Sequence, residues 1–149
     1  MHTAGGYTAQ VIHFETSIRI ERPADDVFAV VADPETYPRW NSAVEAVTRV
    51  AGERRFRMER ELPTGHAENV VEVLYSEAPR EVVVRAADGP TPFLYRFVLA
   101  GSNGATDLSL KADVELGGAS RLLGPLAAAT VKRGVDENFS TLKRLLERG

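Results

Sequence analysis

The chain contains no cysteine. Disulfides, thiolate metal sites and cysteine nucleophiles are thereby excluded, and a reducing compartment is a compatible setting. Positive charge is not in excess: the net charge is -3, so there is no basic footprint for nucleic acid. No apolar run approaches the ~18 residues of a membrane span, and the opening MHTAGGYTAQ lacks the basic and apolar regions of a secretory signal. The reading is of a soluble, cytoplasmic protein, monomer or homodimer, with no nucleic-acid partner and no membrane span. Histidine is scarce as well. His2, His13 and His66 form no HxxxH or HExxH pattern, so no metal site is expected. No serine stands in a GxSxG setting, and neither GxGxxG nor GxxxxGK[ST] occurs, so no hydrolase signature is present and no cofactor is expected.

What is present fits one domain. A chain of 149 residues buries roughly 70% of the surface its unfolded form exposes. Residues 1–10 read as a flexible tail and 11–149 as a single domain. From Val11, Ile12, Phe14, Thr16, Ile18 and Ile20 alternate with polar residues, the period of a half-buried strand. Pro23, Asp25 and Asp26 then suit a helix start, with Val27, Phe28, Val30 and Val31 as its apolar face. Pro34 stops that helix, and a second short one is expected over Glu35 to Arg39. Between Asn41 and Leu116, turn signals at AGE, LPTGH, SEAPR, ADGPTP and GSNG mark off six further strands. Leu122, Leu126, Val131, Val135, Phe139, Leu142 and Leu146 form the apolar stripe of a long last helix, kinked or begun near Gly124-Pro125. One antiparallel sheet with one long amphipathic helix makes an α+β domain.

This order, with IERPADDVFAVVADPETYPRWNSAVEAV near the start and NFSTLKRLLE near the end, resembles the START-like helix-grip superfamily (SRPBCC). Within it, the chain looks most like the bacterial polyketide cyclase/dehydrase group. The resemblance implies a curved seven-stranded antiparallel sheet wrapped around the C-terminal helix, two short helices between strands 1 and 2, and an apolar cavity inside. The superfamily includes carriers, receptors and enzymes and shares no catalytic residue, so the resemblance transfers a fold and no mechanism.

The turns propose a strand register, and register decides which side chains meet inside. With PTGH as a loop, Leu62 opposes Ala67, Arg60 opposes Asn69, Met58 opposes Val71 and Phe56 opposes Val73. The inner face then carries Arg60, Asn69, Tyr75 and Tyr95 as polar groups among apolar ones. Arg60 cannot shed its charge; it must snorkel, bond Asn69 or a tyrosine, or meet an anionic or carbonyl-bearing ligand. Small residues on the last helix leave room for a cavity of roughly several hundred Å³. The candidate ligand-binding set is Arg60, Asn69, Tyr75, Tyr95, Phe56, Met58, Phe93, Phe97, Trp40, Tyr37 and Thr130. Trp40 and Tyr37 suit either a structural staple or a pocket wall. The expected function is binding of a small hydrophobic or aromatic molecule, as carrier or sensor. The alternative is a polyketide cyclase/aromatase or dehydratase, with Tyr75 or Tyr95 as proton donor and Arg60 stabilising an oxyanion. A third reading is an interaction protein whose surface matters.

Overall fold

The alternating apolar residues near the start build an edge strand, β1 (Gln10–Ile20), with Ile12 and Ile20 buried and the intervening polar residues exposed. The computed structural model describes residues 10–52, 54–62, 65–116 and 125–148. The expected tail therefore lies outside the described residues except for Gln10, which begins β1. Leu122 and Leu123 also lie outside them.

Pro23 lies just before α1 (Ala24–Val31), and its carbonyl accepts the amides of Asp26 and Val27. Asp25 and Asp26 occupy the first turn, and Val27 and Val31 point into the core. The second short helix is a 3₁₀ helix, Pro34–Arg39, begun one residue earlier than expected because Asp33 caps it: its Oδ1 accepts the Glu35 amide at 3.0 Å. Thr36 ties this segment back to α1 through the Val30 carbonyl at 2.7 Å and accepts the Trp40 indole N–H at 3.2 Å.

Six strands follow: β2 (Val44–Ala51), β3 (Arg55–Leu62), β4 (Gly65–Glu77), β5 (Glu81–Ala86), β6 (Phe93–Ser102) and β7 (Ala105–Leu116). With β1 they form one seven-stranded antiparallel sheet in the order β1-β7-β6-β5-β4-β3-β2. α2 (Pro125–Arg148) lies in the grip of the sheet, its Phe139 and Leu142 buried with Phe97, Leu108 and Leu110. Phe93, Tyr95, Phe97 and Leu99 oppose Val114, Ala112, Leu110 and Leu108, as the hairpin turn predicts. The fold is the α+β helix-grip arrangement expected.

Three details differ from the expected register. Leu62 pairs with Gly65, so Arg60 opposes Ala67 and Met58 opposes Asn69; each β4 partner lies two residues earlier than proposed. A slip of two preserves the face of every side chain, so Phe56, Met58, Arg60 and Asn69 still point inward. Tyr75 does not. A bulge between Val73 and Tyr75 inverts the alternation, so Tyr75 pairs with Val83 on the outer face, 45% exposed, and donates to Glu77 at 2.9 Å. On α2, Leu126 is 64% exposed and Ala127 is buried in its place. Thr130 is exposed with its hydroxyl on the Leu126 carbonyl, because the sheet-facing stripe passes through Ala127, Val131 and Val135 instead.

Candidate functional site

The inner face of β2, β3, β6 and β7 supplies Val44, Met58, Arg60, Phe93, Tyr95, Phe97 and Leu110 to a cavity. The end of the 3₁₀ helix adds Tyr37, Trp40 and Asn41, and α2 adds Val135, Asn138 and Phe139. Period-2 alternation brings the strand residues to one side, and the 3₁₀ helix contributes two aromatics to the wall. Tyr37 and Trp40 pack edge to face with centroids 5.4 Å apart; Tyr95 stacks on Phe93 at 4.3 Å. Trp40 thus serves as staple, through Thr36, and as wall at once.

Arg60 is half-buried at one side of this space. Its Nη1 donates to Asn69 Oδ1 at 3.0 Å, to the Thr91 hydroxyl at 2.8 Å and to the Pro90 carbonyl at 3.3 Å. Among the described residues no carboxylate pairs with it, and Nε and Nη2 make no hydrogen bond. Burial pulls its pKa down, while Tyr95 opposes that shift. Asn69 is 1% exposed and stands behind Arg60 instead of lining the cavity; its Nδ2 donates to the Asp88 carbonyl at 2.6 Å. It is a positioning residue for the guanidinium and the loop between β5 and β6.

The Tyr37 hydroxyl is buried with no hydrogen-bond partner among the described residues. Burial holds its pKa well above the usual tyrosine range, with repulsion from Tyr95 and Asp33 adding to it. Burial likewise raises Tyr95, against the pull of Arg60. Both phenols therefore remain protonated near neutral pH. The cavity volume is about 50 Å³, smaller than the several hundred Å³ expected from the small residues of α2. Two of those, Ala129 and Thr130, face outward, and Phe139 fills space from the helix side.

Of the residues singled out from sequence, the structure gathers Arg60, Tyr95, Tyr37, Trp40, Met58, Phe93 and Phe97 around one space. Asn69 backs it, and Tyr75 and Thr130 lie outside it. Phe56 is buried elsewhere on the inner face, beneath the Arg49 guanidinium at 4.8 Å, beside a more open groove that also includes Arg54 and Ser76. It sits nearer the opposite end of β3, where the strand passes under the start of the 3₁₀ helix. Sequence reasoning misses Asn41 and Asn138. Their signal is adjacency to Trp40 and Phe139 respectively, each one residue from an aromatic that lines the site. His66, expected in a turn, lies in β4 on the outer face, 3.5 Å from a Glu45 carboxylate oxygen.

The sequence profile of the family described as polyketide cyclase / dehydrase and lipid transport matches residues 11–147. The chain belongs to this family. No curated protein matches it by sequence. Solved structures share the fold. A START superfamily protein from Mycobacterium smegmatis superposes with a TM-score of 0.81 at 17% identity, covering 91% of this chain and 97% of the other. The Zhui aromatase/cyclase from Streptomyces sp. R1128 gives 0.76 at 18% identity, covering 93% and 95%. A protein from Thermus thermophilus, TTHA0849, gives 0.71 at 20% identity, covering 92% and 95%. No described helix is long and apolar enough to cross a membrane.

Proposed function

We propose that this member of the polyketide cyclase/dehydrase and lipid-transport family binds a small hydrophobic or aromatic molecule between sheet and α2, as a carrier or sensor. The observation that carries this reading is the buried, unpartnered Tyr37 hydroxyl in the wall of an aromatic cavity. A buried polar group without a partner costs about 1–3 kcal/mol, and a ligand that supplies one recovers that energy on binding. Trp40, Phe93, Tyr95 and Phe97 provide flat apolar walls for a ring.

Binding is favoured over catalysis by what the cavity wall is made of. Its described residues include no carboxylate and no imidazole, and its two tyrosines are held protonated. General acid–base work is most efficient when the catalytic group titrates near the working pH. These phenols serve as hydrogen-bond donors instead.

The cavity is smaller than the roughly 150 Å³ that admits benzene, so entry requires side chains or α2 to move. The test is a titration with 2-naphthol followed by fluorescence of Trp40, the chain's single tryptophan. Saturable quenching with 1:1 stoichiometry is expected, together with a co-purified small molecule in native mass spectra. A flat titration with empty native spectra would overturn the binding reading. Turnover of a poly-β-carbonyl compound, lost in Tyr95→Phe, would favour the cyclase instead.

A further inference from the structure

The one charged group in the described wall of the cavity is a cation. Arg60 offers Nε and Nη2, because Nη1 makes all of its hydrogen bonds among the described residues. Tyr37 and Tyr95 offer hydroxyl protons that burial keeps in place. Each asparagine in the wall accepts one hydrogen bond: Asn41 Oδ1 from the Ala43 amide at 3.0 Å and Asn138 Oδ1 from the Ser42 amide at 3.2 Å. Neutral groups of this kind can both donate and accept, whereas the guanidinium can only donate. Opposite this set, among the described lining residues, stands no negative charge.

A guanidinium in such a place is half-desolvated and lacks a counter-charge, an arrangement whose penalty only an anion relieves fully. A neutral alcohol or amide supplies an acceptor oxygen but no charge to match the guanidinium. A carboxylate brings two oxygens, acceptor-only, with about four lone-pair positions.

We infer that the ligand is a flat aromatic carboxylic acid bound as its anion, the carboxylate received by Arg60, Tyr37 and Tyr95 and the ring held against Trp40 and Phe93. This rests on the cavity-binding reading and adds to it the charge and class of the ligand. Hydrogen bonds to a charged group are stronger than those between neutral partners, so the acid gains an advantage that ring burial alone does not give.

The experiment compares 2-naphthoate with 2-naphthamide, which have similar shape and differ in charge, by calorimetric titration at pH 7. Naphthoate is expected to bind roughly ten- to a hundredfold more tightly. In Arg60→Gln that preference should vanish, naphthoate affinity falling far more than naphthamide affinity. Because Arg60→Gln also disturbs the loop between β5 and β6, Tyr37→Phe provides a second variant. It removes an unpartnered buried hydroxyl, so the fold should be as stable or more so, whereas naphthoate affinity should fall roughly three- to tenfold. Equal affinity for acid and amide would overturn the anion assignment and leave the cavity reading standing. Failure of both compounds to bind would overturn the cavity reading and this inference with it.

Discussion

Asn69 accepts a 3.0 Å hydrogen bond from Arg60 Nη1 while its own Nδ2 donates to the Asp88 carbonyl at 2.6 Å. One buried amide therefore fixes both the guanidinium and the loop between β5 and β6 that flanks it. Asn69→Ala would leave a cavity and strand the Asp88 carbonyl and Arg60. The expected loss is about 1–3 kcal/mol of stability, measured by urea unfolding. It should also weaken binding of 2-naphthoate, although Asn69 does not line the cavity, because Arg60 would lose its anchor. A variant with unchanged unfolding midpoint would show that the amide is not the anchor.

Gly89 is the position that lets this loop approach. Its φ is +71°, and a Cβ there would stand 2.6 Å from both Asn69 Nδ2 and the Glu68 carbonyl oxygen. Left-handed backbone already costs a non-glycine residue roughly 1–2 kcal/mol. The carbonyl cannot swing aside as a flexible side chain would. Gly89→Ala is thus expected to destabilise by about 2 kcal/mol or more, seen as a drop in thermal midpoint. Gly104, with φ +78° and open space around it, separates the two causes: its alanine variant should show only the smaller backbone part.

The face of a side chain is easier to read from sequence than its partner. Turn signals bracket β3 and β4 and so place Arg60 and Asn69 inward, and the two-residue slip seen between Leu62 and Gly65 conserves parity. Simple alternation misplaces Tyr75 because a bulge depends on how neighbouring strands twist, and nothing in VLYS marks it. Hydropathy alone phases the α2 stripe wrongly at its start for a similar reason. Leu126 is more apolar than Ala127, yet Leu126 is exposed and Ala127 buried, so the stripe follows the helix's rotation and not the larger side chain. The cavity wall brings together Tyr37, from a 3₁₀ helix, and Arg60, from a mid-chain strand, and no local pattern encodes such a meeting.

The Thr16 hydroxyl donates to the Asp136 carboxylate and so joins β1 to α2, and Lys132 contacts the same carboxylate at 2.9 Å. Burial raises the Asp136 pKa, but the bonds from Lys132 and Thr16, with the lysine's charge, outweigh it and hold the carboxyl below its ordinary value. Between the folded pKa and the unfolded value of roughly 3.9, the unfolded chain binds more protons. The stabilisation is therefore full at neutral pH and is lost as pH falls through that acid window. The pair is substantially exposed, which caps its worth at about 1 kcal/mol. Wild type should exceed Asp136→Asn in unfolding free energy by a constant amount from pH 7 to about 5, and the gap should narrow as pH falls below roughly 4. A gap that does not change with pH would remove the ionic part of this tie.

Gly134 divides α2 into two unequally fastened parts. On its C-terminal side, Asp136 holds Thr16, Asn138 holds the Ser42 amide, Lys143 donates to the Arg19 carbonyl, and Glu147 accepts the Glu21 amide. On its N-terminal side, the described residues make no hydrogen bond to the sheet, and Ala127 and Val131 hold by apolar contact alone. Glycine inside a helix is about 1 kcal/mol less favourable than alanine, and a Cβ at Gly134 would meet nothing within 4 Å. Gly134→Ala should therefore stabilise the fold by about 0.5–1 kcal/mol. The α2 lining of the cavity, Val135, Asn138 and Phe139, lies wholly on the fastened C-terminal side, so ligand affinity should not change with this substitution. A thermal midpoint at or below that of wild type would show that the glycine is tolerated for a reason other than helix propensity.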